Sequence, residues 1–382
     1  MMNFFSRFSG TSDTVGIDIG SHTIKVAQVA LTRQGYQLVR AGSTPTPSGA
    51  VKAGVVVDRI QVAESIFTLL QTLGIRTTLA ISAVAGPTVV VRQVKLPAMP
   101  ENQLRKSIQW EARNYIPTTV EDSMLEFQIL GTSAVDGTPQ MDVMMVAAPR
   151  DMVESRIAAL EQAGLEPLAL ELEPFALMRS AIDIVSTPGL QQENIALVEI
   201  GHTYTHISIV SAGTFILTRS VTVAGESFTQ AIMSALSVSA DEAEEIKENQ
   251  TAAVTDVAMR ARLSPTGQDA SLALESQIEE LVREIRRSFA FFDYQKGPDG
   301  NRNASGISRV ILTGGTARLP GIITLLQDNL GLPIELFSLS KHSALRLPEG
   351  VTGLDEQAPM LATSIGLALR EPMISRERGG FR

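Results

Sequence analysis

The stretch that decides the fold is VGIDIGSHTIKVAQV, residues 15–29. Apolar residues alternate with a glycine and an aspartate from Val15 to Ile19, and this period of two predicts a β-strand with one buried face. Residues 21–23 predict a turn and residues 24–31 a second strand, so that the segment forms a hairpin. Asp18 places a carboxylate in this buried β-structure, just before a glycine turn. A charged group at such a position needs a functional or structural explanation.

A second stretch repeats this theme in the other half of the chain. Residues 195–219, IALVEIGHTYTHISIVSAGTFILTR, again place an acidic residue, a glycine and small polar residues between two apolar strands. We align residues 18–23 with residues 199–204, which pairs Asp18 with Glu199. The distance between the two stretches along the chain is about the size of one domain, which indicates an internal duplication rather than a solenoid repeat.

The composition is that of a globular protein with several compact units. Of the 382 residues, 44% are hydrophobic and 19% are charged. The net charge of −9 argues against nucleic acid as a main partner, because binding along a phosphate backbone needs a basic surface. The chain has no cysteine, which excludes disulfides, thiolate metal sites and a cysteine nucleophile.

Neither end of the chain predicts a membrane anchor. The start, MMNFFSRFSG, lacks the apolar core of a signal peptide, and no window of about 18 residues is apolar enough for a membrane span. Phe4, Phe5 and Phe8 predict an arm that packs on the domain or stays loose, with contact to a membrane or a partner as the alternative. Residues 370–382 lack the apolar face of an amphipathic anchor helix.

Outside the two hairpins, the apolar pattern predicts further helices and strands. The expected helices are 58–73, 101–115, 150–163, 225–237, 240–250, 269–296, 321–330 and 358–369, and the expected strands are 78–84, 88–96, 124–130, 141–148 and 308–313. Residues 43–54 predict a loop, and residues 168–182 a strand that enters a helix at Glu173. The order helix, strand, strand, helix within residues 87–165 predicts an inserted small α+β domain.

Three of these helices carry an apolar stripe, which predicts the face that each one buries. The stripes are Ile60, Ala63, Ile66, Phe67 and Leu70 in the first helix, Leu104, Ile108, Ala112 and Tyr115 in the second, and Ile278, Leu281, Val282, Ile285, Phe289 and Phe292 in the longest. Trp110 falls on the opposite face of the second helix, together with Lys106 and Arg113. This tryptophan either packs against the rest of the domain or anchors a partner peptide.

The two hairpins have the chemistry of a phosphate site. A turn rich in glycine, serine and threonine offers several backbone N–H groups that can converge on phosphate oxygens. One such turn is also explained as an ordinary glycine turn, whereas two of them, each preceded by a carboxylate, favour a polyphosphate with a cation. Mg²⁺ prefers one or two carboxylates with water and phosphate oxygens, which suits Asp18 and Glu199. Gly314 and Gly315, after a buried strand, would let a nucleoside approach the backbone.

These motifs carry a resemblance to the actin/Hsp70/sugar-kinase superfamily. GIDIGSHTIKVAQV, VEIGHTYTHISIV and ILTGGTARLPGI resemble its phosphate-1, phosphate-2 and adenosine motifs, and ELEPFALMRSA resembles its connecting helix. AGESFTQAI and DEAEEIKEN, within residues 224–249, resemble the segment that reaches the nucleotide from the second lobe. The insertion PTVVVRQVKLPAMPENQLRKSIQWEARNYIP resembles the PilM family, actin-like proteins of type IV pilus assembly that are related to FtsA.

The resemblance covers roughly residues 13–370 and implies an α/β fold. This is the two-lobed actin-like ATPase fold, built from duplicated RNase H-like domains with an inserted small α+β subdomain. The implied boundaries are residues 13–86 for the first part of lobe 1, 87–167 for the insertion (subdomain 1C), 168–194 with 345–370 for the rest of lobe 1, and 195–344 for lobe 2 with subdomains 2A and 2B.

The resemblance also implies roles for individual residues around ATP and Mg²⁺. Asp18 and Glu199 would hold Mg²⁺, while Glu173 and Glu199 would act at the catalytic water. The residues that would bind ATP are Gly20, Ser21, His22, Thr23, Lys25, Gly201, His202, Thr203, Gly225, Glu226, Glu244, Lys247, Gly314, Gly315 and Thr316. As alternatives, Lys25 is an exposed strand lysine, and Glu244 with Lys247 is a surface ion pair of an acidic helix.

One position departs from the pattern of the superfamily. The second motif usually opens with aspartate, whereas this chain has Glu199. The additional methylene displaces the carboxylate by about 1.5 Å. Because a misplacement on this scale costs on the order of a hundredfold in rate, we expect ATP binding with weak or no hydrolysis.

The function that the resemblance implies is an ATP-binding scaffold of type IV pilus assembly. It would lie at the inner face of the cytoplasmic membrane by binding the cytoplasmic N-terminal peptide of a PilN-like bitopic protein, with Trp110, Arg113 and Lys106 as expected contacts. The alternatives are an FtsA-like cell-division protein, which would be expected to carry a C-terminal anchor, and a small-molecule kinase, whose catalytic aspartate in lobe 1 does not stand out. Contacts with other pilus proteins or with a second copy stay open.

Overall fold

The computed structural model describes residues 14–116, 120–135, 138–183, 189, 192–295, 306–341, 344–348 and 353–377. The expectations for Phe4, Phe5 and Phe8 lie outside these residues. The described chain divides into unit 1, residues up to 31, 40–176 and from 367 on, and unit 2, residues 32–39 and 177–366. The boundaries of the lobes and of the insertion that the resemblance implies stay predictions.

Helices and strands follow one another in the order expected of an α/β protein. The strands are β1 (Val15–Ile19), β2 (Thr23–Thr32), β3 (Gly35–Pro45), β4 (Val51–Lys52), β5 (Val55–Val56), β6 (Leu79–Val84), β7 (Val90–Pro97), β8 (Ser123–Val135), β9 (Thr138–Pro149), β10 (Glu166–Leu172), β11 (Asn194–Ile200), β12 (Thr205–Ser211), β13 (Thr214–Val221), β14 (Arg309–Thr313), β15 (Ile334–Leu336) and β16 (Leu345–Arg346). The helices are α1 (Arg59–Leu73), α2 (Glu101–Ala112), α3 (Arg150–Gln162), α4 (Glu173–Met178), α5 (Gly225–Leu236), α6 (Ala240–Asn249), α7 (Val257–Arg260), α8 (Pro265–Gln295), α9 (Ile322–Leu330), α10 (Leu354–Ala368) and α11 (Arg370–Glu377). Among the described residues, no helix combines the length and apolar character needed to cross a bilayer.

The hairpin predicted from residues 15–29 forms the centre of a six-stranded sheet. The strand order is β10-β6-β1-β2-β3-β16, in which β1 is antiparallel to β2 and parallel to β6. All five residues of β1 are buried, so the expectation that only one face of this strand is buried is wrong. Both faces of this central strand are covered, so that Gly16 and Asp18 are buried together with the apolar residues.

The second sheet repeats the topology of the first. Its order is β13-β12-β11-β14-β15, with β11 antiparallel to β12 and parallel to β14, and with β14 parallel to β15. In the first sheet β2, β1, β6 and β10 have the same order and the same directions. The duplication predicted from the two hairpins is thus confirmed at the level of strand topology.

A separate three-stranded antiparallel sheet occupies residues 90–149. Its order is β7-β9-β8, and α2 packs on it to close a small hydrophobic cluster that includes Leu104, Ile108, Phe127 and Val143. Helix α3 continues directly from β9 and contacts α1, β5 and β10 as well as β8 and β9. Through α3 the small sheet is therefore joined to the remainder of unit 1.

Helix α1 buries part of the expected stripe, since Ala63, Ile66 and Leu70 are buried as predicted, but Ile60 and Phe67 are not. Asp58 caps its first turn by accepting a hydrogen bond from the Gln61 N–H at 3.0 Å. The buried residues are Val62, Ala63, Ile66, Leu69 and Leu70, whereas Ile60 and Phe67 are exposed. The apolar residues of this helix make two overlapping stripes, and contact with α3 decides which of them is covered.

Two further expectations differ from the structure in detail. Strand β3 extends to Pro45 and β4 begins at Val51, so that residues 43–54 are not a continuous loop. Helix α2 ends at Ala112, where the N–H groups of both Tyr115 and Ile116 bond to the Ala112 carbonyl. The resulting turn buries Ile116 and leaves Tyr115 exposed, in place of the expected burial of Tyr115.

The longest helix, α8, organises the core of unit 2. The predicted stripe is confirmed, because Ile278, Leu281, Val282, Ile285 and Phe292 are buried in one cluster and Phe289 packs against it. This cluster also includes residues of β11, β12 and β14, so α8 covers one face of the second sheet.

Leu281 and Leu272 on α8 allow the same substitution to be compared in two environments. Leu281 is fully buried, whereas Leu272 is 49% exposed. We expect Leu281→Ala to lower the free energy of unfolding by about 2–5 kcal/mol, because it removes packed methyl groups and leaves a cavity. Leu272→Ala should change it by about 0.5 kcal/mol or less. Urea denaturation of both variants measures the difference, and equal effects would contradict the assignment of the α8 stripe to the core.

Candidate functional site

In unit 1 the polar turn after β1 is held by backbone contacts. The Gly20 N–H bonds to the Thr23 carbonyl at 3.2 Å, and Thr46 donates its hydroxyl to the Gly20 carbonyl at 2.8 Å and its N–H to the His22 carbonyl at 2.9 Å. A Cβ atom at Gly20 would lie 2.7 Å from the Thr23 carbonyl oxygen, closer than real contacts allow. The turn therefore requires glycine at its first position, and residues 20–23 keep a fixed backbone shape.

Asp18 ends its strand beside a lysine. It stands opposite Lys25 in the β1–β2 ladder, and the lysine Nζ lies 3.0 Å from the carboxylate Oδ2. The Lys25 side chain is only 15% exposed, so the alternative that it is an exposed strand lysine is wrong. A Cβ at Gly20 would lie 3.0 Å from this Nζ, which places the ammonium group next to the turn.

A buried arginine that the sequence reasoning missed completes this cluster. Arg156 on α3 donates from Nη1 to the Ile19 carbonyl at 3.1 Å and from Nε to the Gly54 carbonyl at 3.2 Å. Burial lowers the pKa of Arg156 from its ordinary value, and the negative charges of Asp18 and Glu173 oppose that shift. Glu173 is itself buried, at the first position of α4. The structure thus brings two predicted carboxylates, Asp18 and Glu173, near one guanidinium.

A signal for Arg156 was present in the sequence. Met152, Val153, Ala159 and Leu160 form an apolar stripe at helical spacing on α3, and Arg156 lies in the middle of it. A charged residue at the centre of a buried helical face needs partners in the fold. The stripe alone does not say which partners these are.

In unit 2 the turn after β11 has the same geometry as its counterpart. The Gly201 N–H bonds to the Tyr204 carbonyl at 3.1 Å, and a Cβ at Gly201 would lie 2.9 Å from that oxygen. His202 and Thr203 lie between Gly201 and Tyr204, and the His202 Nδ1 is 3.4 Å from the Thr203 Oγ1. The predicted alignment of residues 18–23 with residues 199–204 is therefore confirmed, because both turns close between their third and sixth positions.

Glu199 takes the position of Asp18 in this second hairpin, but its surroundings differ. The residue opposite it in the ladder is His206, in contrast to the lysine opposite Asp18. Its Oε1 accepts a hydrogen bond from the Thr363 hydroxyl on α10 at 3.3 Å. On the parallel strand its neighbour is Thr313, whose buried hydroxyl makes no hydrogen bond with the residues that the structure describes. The longer carboxylate is thus bonded to a helix of unit 2 through the Thr363 hydroxyl.

Three glycine-containing segments meet at the carbonyl of Gly201. This oxygen accepts hydrogen bonds from the Gly225 N–H and from the Thr316 hydroxyl, each at 3.0 Å. The Glu226 N–H bonds to the His202 carbonyl at 2.7 Å. A Cβ at Gly225 would lie 2.5 Å from the Thr316 Oγ1, so a larger residue does not fit there. Residues predicted from three separate motifs are therefore direct neighbours in unit 2.

Lys247 and Glu244 are part of the same cluster and are not a surface ion pair. Lys247 is 5% exposed and donates to the Gly225 carbonyl at 3.2 Å and to the Thr229 hydroxyl at 2.8 Å. Its Nζ is 2.6 Å from the Glu244 carboxylate. The alternative that this pair serves helix solubility is wrong, because the lysine fixes the first turn of α5. The Glu226 side chain, in contrast, is exposed.

The expected partner-binding residues lie together on α2 and at its C-terminal end, where Arg113 follows Ala112. Lys106, Trp110 and Arg113 are exposed, and Trp110 has 66% of its surface accessible. The alternative that Trp110 packs against the rest of the domain is wrong. Arg113 forms an ion pair with Glu121 at 2.6 Å. The three side chains make one exposed face of an amphipathic helix whose other face is buried.

The family whose model matches the chain is described as "Type IV pilus assembly protein PilM", and the match spans residues 16–372. Among characterised proteins, the cell division protein FtsA of Bacillus subtilis is 23% identical to this chain. The match covers 96% of this chain and 86% of FtsA. FtsA of Pseudomonas aeruginosa is 24% identical, covering 93% of this chain and 88% of that protein.

Two solved structures are similar to this chain in fold. A "PilM-PilN type IV pilus biogenesis complex" contains a chain with a TM-score of 0.78 and 27% identity, covering 94% of this chain and 98% of the other. The ethanolamine utilization protein EutJ of Carboxydothermus hydrogenoformans has a TM-score of 0.53 at 18% identity, covering 93% and 88% of the two chains. The expected α/β, two-lobed actin-like fold is confirmed by these similarities.

The adjacent residues Gly314 and Gly315 differ sharply in the space around them. Gly314 has a φ of +94°, and a Cβ there would lie 2.3 Å from the Ile200 carbonyl oxygen, whereas nothing lies within 4 Å of a Cβ at Gly315. We expect Gly314→Ala to lower the free energy of unfolding by at least about 2 kcal/mol, from strain and overlap. Gly315→Ala should change it by about 0.5 kcal/mol or less. Guanidinium denaturation of both variants measures this, and a stable Gly314→Ala protein would contradict the close approach of the two turns.

Proposed function

Because the chain belongs to the PilM family of type IV pilus assembly proteins, we propose that it serves pilus assembly as an ATP-binding scaffold. The observation that carries the proposal is the convergence of the segments around Gly201, Gly225 and Thr316 in unit 2, together with an equivalent turn beside Asp18 in unit 1. These segments approach one another closely because glycines stand at the contact points, and glycine at such positions also permits a ligand to approach the backbone.

The residues present fit ATP and Mg²⁺. The two turns, residues 20–23 and 201–204, begin with glycines that have no room for a side chain, and glycine turns of this kind can present backbone N–H groups to phosphate oxygens. The buried carboxylates of Asp18 and Glu199 are the oxygen ligands that Mg²⁺ prefers. Bound Mg²⁺ would neutralise phosphate charge. Lys25, beside the first turn, would add a second positive charge to the same end of the nucleotide.

The remaining predicted residues would bind the nucleoside. In this proposal the adenosine lies against the backbone of Gly314 and Gly315, where the open space around Gly315 would admit it. The other members of this set are Thr316, Gly225, Glu226, Glu244 and Lys247. Because Lys247 and Glu244 are already bonded to each other and to the first turn of α5, they would supply a preformed surface.

The proposal includes slow turnover. Glu173 would orient the attacking water, and Glu199 would share Mg²⁺ binding, but the Glu199 carboxylate is one methylene longer than an aspartate and is bonded to Thr363. A carboxylate held away from the productive position still permits binding while it reduces the rate. ATP then acts mainly as a ligand that stabilises the folded protein by mass action.

The proposed partner is the cytoplasmic N-terminal peptide of a PilN-like membrane protein. The PilM-PilN type IV pilus biogenesis complex contains a chain of the same fold that is 27% identical to this one, and this supports the same partner class here. We assign the docking surface to the exposed face of α2 formed by Lys106, Trp110 and Arg113. A large aromatic side chain with neighbouring arginine is typical of the residues that dominate peptide binding. Through this partner the protein would lie at the inner face of the cytoplasmic membrane.

Asp18→Asn tests the nucleotide proposal, since it removes the carboxylate charge with little change in shape. We expect Mg²⁺-dependent ATP affinity to fall at least tenfold by calorimetry, and ATP to raise the melting temperature of the wild type but not of the variant. Asp142→Asn is the matched control, because Asp142 is an exposed aspartate paired with Lys95 on the small sheet. Unchanged affinity in Asp18→Asn would contradict the site, and wild-type turnover near the roughly 10 s⁻¹ typical of enzymes would contradict the scaffold role.

Trp110→Ala tests the partner surface. With a labelled N-terminal peptide of the PilN-like protein, we expect at least a tenfold loss of affinity in Trp110→Ala, a smaller loss in Arg113→Ala, and unchanged ATP affinity in both. Because the chain has one tryptophan, peptide binding to the wild type should also change its fluorescence. Tyr294→Ala, which removes an exposed aromatic side chain of α8 in unit 2, is the control. Wild-type peptide affinity in Trp110→Ala and Arg113→Ala would place the docking surface elsewhere.

A further inference from the structure

Arg156 is one of the most enclosed charged residues of unit 1. It is 5% exposed, in the middle of the apolar face of α3. Removing a guanidinium from water is costly unless hydrogen bonds and opposite charges replace the lost hydration. Its position therefore has to be understood from the groups that it meets.

The groups that Arg156 meets belong to the proposed phosphate-binding turn. Its Nη1 bonds to the Ile19 carbonyl, which belongs to the same peptide group as the Gly20 N–H. That peptide group leads from β1 into residues 20–23. Through Nε the same guanidinium bonds to the Gly54 carbonyl in the β4–β5 turn. One rigid side chain thus fixes the start of the phosphate turn against a second segment of unit 1.

The charge of Arg156 also acts on the carboxylates of this cluster. Asp18 and Glu173 are the two acidic groups whose charges favour its protonated form. Asp18 is in addition paired with Lys25. Two cations, Lys25 and Arg156, therefore balance two carboxylates, Asp18 and Glu173, beside the turn. Loss of Arg156 would leave excess negative charge there, which would disfavour a polyphosphate at residues 20–23.

A purely structural role would look different. The neighbouring residue Ser155 also joins α3 to the β4–β5 segment, because its Oγ accepts the Val56 N–H at 3.1 Å. Ser155 carries no charge, and its hydrogen bond with that segment is to β5 and not to the phosphate turn. Variants of Ser155 should therefore report on how α3 is attached to the β4–β5 segment. Variants of Arg156 should in addition report on the shape of the phosphate turn.

We propose that Arg156 is a positioning residue for nucleotide phosphates: it holds the Ile19–Gly20 peptide in the geometry that binds them, and its charge offsets the carboxylates beside the turn. The inference rests on the proposed function, and it adds α3 to the elements that form the site. It predicts that loss of Arg156 weakens binding in proportion to the number of phosphates on the ligand.

The test compares ATP, ADP and AMP affinities by calorimetry in four proteins: wild type, Arg156→Gln, Arg156→Lys and Ser155→Ala. We expect Arg156→Gln to weaken ATP at least tenfold and AMP less than threefold. Arg156→Lys should recover part of the ATP affinity, since it keeps the charge but has a single donor centre in place of a fork. Ser155→Ala should lower the melting temperature without nucleotide and leave the ratio of ATP to AMP affinity unchanged.

The outcomes separate the two proposals. Equal losses for ATP and AMP in the Arg156 variants, or unchanged ATP affinity, would overturn the positioning role while the wild type still binds ATP. A wild-type protein that binds none of the three nucleotides would overturn the proposed function, and this inference with it. If Arg156→Gln does not fold, Arg156→Lys decides, because a change in the ATP to AMP ratio relative to Ser155→Ala supports the role and its absence overturns it.

Discussion

The close approach of backbone segments around two strand ends is the constraint on which the remaining features depend. At Gly20 and at Gly201 the chain reverses so tightly that the first and fourth residues of each turn bond to each other, with no room for a side chain. In unit 2 this allows the Gly201 carbonyl to receive both Gly225 and Thr316. The position of α5, of the β14 end and of the buried Lys247 all follow from that one meeting point.

The duplicated halves share a topology but differ in charge. In unit 1 the carboxylate at the strand end is next to Lys25 and near Arg156, so cations surround it. In unit 2 the corresponding Glu199 lies opposite His206 and accepts a hydrogen bond from Thr363. The duplicated halves therefore place equivalent carboxylates in different surroundings.

The sequence predicted those features that depend on local pattern. Strand ends followed by glycine, the α8 stripe and the equivalence of Asp18 with Glu199 are set within short segments, and each was found there. What a side chain meets across the fold was not predictable in this way. Arg156 and Thr363 reach the site from helices distant in sequence, and the buried face of α1 is selected by its contact with α3. For the same reason the surface-pair explanation of Lys247 failed, since the i,i+3 spacing says nothing about Gly225.

The uneven space around the glycines has a consequence for how far homologous chains can diverge. Among the described residues, seven glycines would place a Cβ less than 3 Å from another atom, and four of them, Gly20, Gly201, Gly225 and Gly314, belong to the candidate site, whereas Gly74, Gly315 and Gly331 have open surroundings. Substitution at the open positions is limited by backbone preference alone, but at these four positions a neighbouring group would have to move as well. Even relatives of very low overall identity should therefore keep glycine at these four positions. Aligning the four glycines would then show where insertions and deletions lie between them.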